Sequence, residues 1–491
     1  MQRLSGLDAS FLSLETPTMH MHVASAAVFD PSGTPDGLSF ERVAALVEGR
    51  LDLLPPFRRR LVPVPLGLHH PLWVEDPDFD LSYHLRRASL PRPGGLEELA
   101  AFAADVIGRP LDRSKPLWEM WVVEGLEGGR VALVSKTHHA AIDGVSGAEL
   151  TANLLDLERD PPPRPHPAEP WRAERIPSEL EMLAYGVRSA ACQTLSIPRL
   201  VAESVAAALD VRDRNRTPGV DVPPAPFSAP RTSFNAPITA HRAVRFTEVD
   251  LERVRAVKRL AGTTVNDVVL ALVAGSLRGY LAARDELPKE PLVALVPVSV
   301  RGESERSALG NRVSPMLVAL ATGCMDPVER LEAIATATRA AKDQERAIGA
   351  ESLTRWADFA APAVAARAAR LVTSMRVFDR LRPLVNVIVS NVPGPPVPLY
   401  SAGAELVALY PMGPIGEGVG LNVTVMSYCG RLFFGLTACR ELVDDLDGIA
   451  AGLDAELGAL EGSLGLAHRT RGPRRPAAGG RQRGAAVRVV S

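Results

Sequence analysis

The amino-acid sequence predicts a mixed α/β protein of the α+β type, built as two halves joined by a long crossover. Three observations lead there. The chain has 491 residues, more than one compact core holds, so more than one folding unit is expected. Short β-type runs alternate with helical patterns in residues 1–158 and again in 240–466. Between them, residues 159–239 open on Pro161-Pro162-Pro163, Pro165, Pro167 and Pro170 and close on Pro218, Pro223, Pro224, Pro226 and Pro230. Proline lacks a backbone donor and fixes φ, so this stretch reads as a linker.

Taken in order, Leu96–Ile107 reads as a helix, Trp118–Val123 as a strand and Val131–Lys136 as a buried strand with poor alternation. Ser146-Gly147-Ala148-Glu149 matches a capping box, followed by Leu150, Leu154, Leu155 and Leu157 at helical spacing. Within the linker, Ser178–Leu209 has helical composition. In the second half Val265–Leu281 is a helix and Leu292–Val300, Met316–Ala321 and Val385–Ser390 are strands. The last of these ends in Asn391-Val392-Pro393-Gly394-Pro395-Pro396, a turn signal. Leu421–Met426 and Leu432–Thr437 read as a hairpin around Cys429-Gly430, and Leu446–Leu464 as a closing helix.

Bulk composition excludes several classes. Hydrophobic residues make up 46% and charged residues 23%, with a formal net charge of −2, which gives no case for nucleic-acid binding. The tail 467–491 holds seven arginines and no acid, so the rest of the chain carries 48 basic against 57 acidic residues, a formal −9. Such a tail is expected to be disordered, as a solvated end or as a contact for an anionic lipid surface. Cys192, Cys324, Cys429 and Cys439 form no C-x-x-C pair and no Cys/His ligand spacing, which fits a reducing compartment and argues against a zinc ribbon. The opening Met1–Asp8 carries an acid with no long apolar region after it, a poor signal peptide. The longest clean apolar runs fall short of the roughly 20 residues that span a bilayer. A soluble or peripheral protein is expected, in keeping with a cytoplasmic setting.

The run that carries chemistry is His138-His139-Ala140-Ala141-Ile142-Asp143-Gly144. It lies where a strand ends near Thr137 and opens into a loop, a common place for catalytic groups on a rigid scaffold. Adjacent residues in extended backbone point to opposite sides, so one histidine can face a cavity while its neighbour packs. An imidazole titrates near neutrality and can take a proton from an alcohol. Asp143 can orient a ring, pair with an arginine or stabilise the turn, and Gly144 supplies freedom at a crowded bend. A satisfied core pair with a turn aspartate is the structural alternative. His69-His70, followed by Pro71 and lacking the Asp-Gly, is an internal control. No third ligand stands at zinc spacing.

This run resembles the His-His-x-x-x-Asp-Gly signature of the chloramphenicol-acetyltransferase-like superfamily. Further segments resemble one branch of it, the bacterial wax ester synthase/acyl-CoA:diacylglycerol acyltransferase family. They are Leu4–Phe11, Val74–Leu81 with His84, Pro116-Leu117-Trp118, Asn266-Asp267, Val296–Arg301, Gly310-Asn311 and Ser390–Pro395. The resemblance covers about residues 4–464. It implies two chloramphenicol-acetyltransferase-like subdomains, mixed sheets with flanking helices and an active-site tunnel at their interface. It also implies that His139 deprotonates the hydroxyl of diacylglycerol or a long-chain alcohol. The oxygen then attacks an acyl-CoA thioester directly, without a covalent intermediate and with acyl-CoA as co-substrate, not a resident cofactor.

The companion residues carry two readings each. Asn266 and Asp267 open a helix after Thr264, and capping and function are compatible there. Pro116 precedes a strand, and Trp118 is expected to pack. Arg301 can pair with Asp143, meet a CoA phosphate or be an ordinary surface arginine. Asn391 can donate towards an oxyanion or serve its turn. Other functional classes stay in view: a condensation-type or polyketide-associated acyltransferase fed by a carrier protein, and a non-catalytic lipid-surface protein. No Gly-x-Ser-x-Gly elbow is present for a serine hydrolase. His138 and Asp143 have the His-x-x-x-x-Asp spacing of membrane glycerolipid acyltransferases, but the expected lack of transmembrane segments and the extra His139 count against that reading.

Overall fold

A computed structural model describes residues 2–35, 37–65, 69–142, 153–162, 173, 175–184, 186, 223–299, 313–348 and 382–466. The predicted helix after Ser146, most of Ser178–Leu209 and the Arg-rich tail lie outside the described residues.

The first half runs β1 (Gln2–Arg3), α1 (Gly6–Leu14), β2 (His22–Asp30), α2 (Phe40–Glu48), β3 (Arg59–Val62), β4 (Leu72–Glu75), α3 (Leu81–His84), β5 (Leu85–Ser89), α4 (Leu96–Ile107), β6 (Trp118–Glu124) and β7 (Val131–His138). The second half begins with β8 (Arg242–Asp250), α5 (Leu251–Ala261), α6 (Val265–Ala282), β9 (Val293–Ser299), β10 (Val313–Ala319) and α7 (Pro327–Ile348). It continues with β11 (Val387–Val392), β12 (Tyr400–Ser401), β13 (Ala404–Met412), β14 (Leu421–Tyr428), β15 (Arg431–Cys439) and α8 (Leu446–Ser463).

These strands form two six-stranded sheets and a small one. The first sheet has the order β12-β13-β2-β7-β6-β5, antiparallel but for the β5–β6 pair. The second is mixed, in the order β10-β9-β11-β14-β15-β8. β1, β4 and β3 make the third. Each large sheet has its own apolar core. β12 and β13, although they lie within residues 240–466 that the sequence assigns to the second half, pair into the first sheet beside β2. The chain then crosses back into β14 of the second sheet.

At this crossing the sheets touch. A Cβ added to Gly435 on β15 would stand 1.7 Å from the Pro411 carbonyl oxygen on β13. Glycine is required there for the approach itself.

Local chemistry explains the main elements. β7 is buried along nearly all its length, which removes the alternation a half-exposed strand would show. It extends to His138, one residue beyond the expected end. In the β14–β15 hairpin, Cys429 (φ 43°) and Gly430 (φ 83°) make the two-residue turn, of the kind that matches strand twist. Thr264 and Asp267 form a reciprocal capping box that starts α6. That helix is long and apolar enough to cross a membrane by composition, yet most of it is buried between its neighbours. The apolar run from Val268 to Ala274 reflects burial on all sides. Asn391 falls inside β11, opposite Val425, rather than in the turn expected from the sequence. The strand continues through Val392 because β14 gives it a parallel partner.

Candidate active site

β7 lies between β2 and β6, with His138 in register with His22 and Thr137 with Trp118. At its end the backbone is held from both sides. The His138 N–H donates to the Leu117 carbonyl at 2.9 Å and the His139 N–H to the Met21 carbonyl at 2.7 Å. The next residues turn back: Ala141 N–H donates to the His138 carbonyl at 2.9 Å. The two imidazoles therefore leave the chain in different environments. His138 is 1% exposed, while His139, the first residue past the strand, is half-buried.

The hydrogen bonding of His138 fixes its tautomer. The Ala140 N–H donates to Nδ1 at 3.0 Å, so Nδ1 is the acceptor and the ring proton belongs on Nε2. Nε2 in turn lies 3.2 Å from Glu15 Oε1. Both nitrogens are committed to the protein.

Glu15 is the hub beneath the pair. It caps the C-terminal end of α1, and its Oε1 also accepts from the Met21 N–H at 3.2 Å. His22 Nε2 approaches the same oxygen at 3.6 Å. On the other side Arg113 donates to Oε2 through Nη2 at 2.5 Å and Nε at 3.1 Å. Burial pushes the Glu15 carboxyl up. Its contacts with His138 and Arg113 outweigh that effect and hold it well below the usual carboxylate range. His22 is driven well below the ordinary histidine value, first by burial and then by the positive charge of Lys136. Glu15 thus stays ionised and His22 neutral through the range where most enzymes work.

His139 has a different neighbour. Its ring stacks on Phe11 of α1, with centroids 4.3 Å apart and planes inclined by 27°. The same helix therefore serves both histidines, Phe11 and Glu15 being four residues apart on one face.

Pro116 and Trp118 frame the site by packing, as expected for the tryptophan. Trp118 is buried between Phe57 (4.2 Å, 18°) and His84 (4.7 Å, 13°). Its Nε1 donates to the Phe57 carbonyl at 2.8 Å, and His84 Nδ1 donates to the Trp118 carbonyl at 2.8 Å. This stack anchors Leu117, whose carbonyl receives the His138 N–H. Pro116 is buried beside it.

The remaining expected residues stand elsewhere. Asp267 is buried in its capping box, its Oδ2 accepting from Thr264 N–H at 2.8 Å and Thr264 Oγ1 at 2.7 Å; Asn266 next to it is half-buried. Asn391 is half-buried on β11. Asp143, Gly144 and Arg301 lie outside the described residues. Among the described residues no group of three or more His, Cys, Asp or Glu is arranged to hold a metal ion. Sequence reasoning missed Glu15, His22, Arg113 and the part played by Phe11. The one available signal was the four-residue spacing of Phe11 and Glu15 towards the end of a helix capped by Ser5.

Two mixed sheets, with a histidine pair set at the end of a central strand, define a two-domain acyltransferase architecture. The comparisons narrow this class. Residues 4–269 match the model of the wax ester synthase/diacylglycerol acyltransferase catalytic domain, and residues 309–461 match that of the family's C-terminal domain. A Mycobacterium tuberculosis protein called "putative diacylglycerol O-acyltransferase" is 39% identical, over 94% of this chain and 90% of its own. The solved wax ester synthase/diacylglycerol acyltransferase of Marinobacter aquaeolei is 30% identical, with a TM-score of 0.65 over 95% of this chain and 100% of that one. The first condensation domain of the CDA synthetase, 17% identical with a TM-score of 0.55 over 94% and 95%, shares the fold. The chain belongs to the wax ester synthase/diacylglycerol acyltransferase family.

Proposed function

We propose that this protein transfers a long-chain acyl group from acyl-CoA to the hydroxyl of diacylglycerol, of a long-chain alcohol, or of both, with His139 as general base. The observation that carries the choice of base is the inequality of the pair. Both nitrogens of His138 face protein groups in a buried setting, whereas His139 is half-buried at the mouth of the strand end.

In the proposed step the His139 imidazole takes the hydroxyl proton as the oxygen attacks the thioester carbonyl. The tetrahedral intermediate collapses with cleavage of the C–S bond. The imidazolium returns the proton to the departing CoA sulfur. Ester and free CoA leave, and the enzyme is unchanged. The thioester is already activated, so the step closes with acyl-CoA as co-substrate and no resident cofactor. A positioned base of this kind contributes about 10²–10⁴-fold.

The supporting residues take graded roles in this reading. His138 shapes the site and Asp143 with Gly144 organises the loop after it. Asn391 is a candidate donor to the developing oxyanion, Arg301 a candidate partner of Asp143 or of a CoA phosphate. Asn266 and Asp267 act through the start of α6. Peripheral contact with a membrane or lipid-droplet surface, through the Arg-rich tail, belongs to the same proposal.

The test offers the purified full chain palmitoyl-CoA with hexadecanol and dioleoylglycerol together, following thiol release and product mass. One ester per thiol released is expected, and the ratio of wax ester to triacylglycerol reads the preferred acceptor. Thiol release without ester, or transfer only from a carrier-protein thioester, overturns the reading.

A further inference from the structure

The geometry points to Phe11 as a positioning residue for the reaction, one that holds the His139 imidazole in its working orientation and supports its protonated form. This rests on His139 being the base, as proposed above.

Three features carry it. The ring of Phe11 lies nearly face to face with the imidazole, at 4.3 Å and 27°, closer than most aromatic pairs need to be for contact. Phe11 is itself held: α1 is fixed at its start by the reciprocal Ser5–Asp8 cap, with Ser5 Oγ donating to Asp8 Oδ2 at 2.6 Å and accepting from Asp8 N–H at 3.1 Å. Its ring packs against the cluster of Leu4, Ala9, Leu12, Leu61, Leu117 and Ala140. That cluster contains both Leu117, which receives the His138 N–H, and Ala140, which follows His139. Finally, the backbone of His139 is tied to Met21, and Met21 to Glu15 one residue past the end of α1. One short helix thus sets the backbone and the ring plane of His139 together.

The chemical consequence concerns the charge that His139 acquires. An aromatic face within about 6 Å of a cation attracts it, by roughly 0.5–1 kcal/mol at an exposed site and about 2 kcal/mol when desolvated. The imidazolium exists only once the hydroxyl proton has moved, so the stack favours the state after proton transfer over the resting neutral base. It also raises the basicity of His139. Leucine at position 11 keeps an apolar side chain of comparable bulk and removes the π face. Tyrosine and tryptophan keep the face.

The test compares Phe11→Leu, Phe11→Tyr and Phe11→Trp with wild type in pH profiles of kcat and kcat/KM, using palmitoyl-CoA and the better acceptor. For Phe11→Leu, kcat falls about 2- to 30-fold at neutral pH with little change in either KM. The acidic limb of kcat/KM moves to lower pH by about 0.4–1.5 units, the same interaction converted at 1.36 kcal/mol per unit. Phe11→Tyr restores both. Thermal denaturation of each variant confirms that it folds. If Phe11→Leu folds and keeps the wild-type kcat and limb, or raises KM alone, the ring is a substrate wall or mere filler and the inference fails. Failure of the underlying reading looks different: His139→Ala then retains turnover whatever happens at position 11.

Discussion

Replacing Glu15 by glutamine removes one negative charge and almost no volume, at the point where four donors converge. Glutamine can still accept from the Met21 N–H, so that bond survives. What changes is the charge assistance to His138 Nε2 at 3.2 Å and to Arg113 at 2.5 Å. A hydrogen bond to a charged group contributes about 1.5–3 kcal/mol against about 0.5–1.5 kcal/mol for a neutral one. The His138 contact, with the imidazole 1% and the carboxylate 13% exposed, loses about 1–1.5 kcal/mol on that scale. Arg113 is 48% exposed, so water screens its pair and its loss is held to about 0.5 kcal/mol. The expected destabilisation of Glu15→Gln is therefore about 1.5–2 kcal/mol, roughly 10- to 30-fold in the folding equilibrium.

The pH dependence separates charge from packing. The Glu15 carboxyl sits below its ordinary value of 4.5 in the folded protein. A depressed carboxylate contributes stability that is present above the unfolded value and lost as the pH falls through the folded one. Denaturant melts of wild type between pH 7 and pH 3 should show an acid loss beginning near pH 4.5 that Glu15→Gln lacks. The neutral, buried His22 adds its own loss below about 6.5, and it does so in both proteins. Two curves that stay parallel below pH 4.5, or a variant as stable as wild type at pH 7, would refute the hub assigned to Glu15.

Three further outcomes follow from the packing. Trp118→Ala should lose about 3–5 kcal/mol in equilibrium unfolding, with the Phe57 carbonyl left without its donor; a loss below about 1 kcal/mol would contradict the buried stack. Gly435→Ala forces a Cβ to within 1.7 Å of the Pro411 oxygen, so a loss at or above the top of the usual 1–3 kcal/mol for overpacking is expected, and a wild-type melting curve would contradict the sheet contact. Thr264→Ala breaks the α6 capping box and should destabilise by about 0.5–2 kcal/mol, without any change in KM if the cap is structural; a raised KM in a fully stable variant would assign the Asn266–Asp267 turn to substrate.

The elements legible in the sequence were those whose pattern is local. Leu96–Ile107 and Val265–Ala282 carry their periodicity and caps within a single segment, and the β14–β15 hairpin has its turn residues at Cys429-Gly430. The swap of β13 into the first sheet was not legible, because a strand does not encode which partner it will meet across so long a stretch of chain, from Asp30 to Glu405 and beyond. The same holds for the site. His138, His139 and their strand-end setting follow from a contiguous run. Glu15 and Arg113 reach the pair from segments about 120 and 25 residues away, and only folding brings the three together. Asn391 was misplaced for a related reason: Pro393-Gly394 marks the turn, but pairing with β14 carries the strand two residues further towards it.

The account turns on the claim that His139, and not His138, takes the proton. Its most direct measurement is the turnover of His139→Ala beside His138→Ala, each shown to be folded, with palmitoyl-CoA and the better acceptor. The account predicts that His139→Ala loses about 10²–10⁴-fold in kcat with the KM values retained, and that His138→Ala suffers mainly in stability. Wild-type turnover in a folded His139→Ala would contradict it.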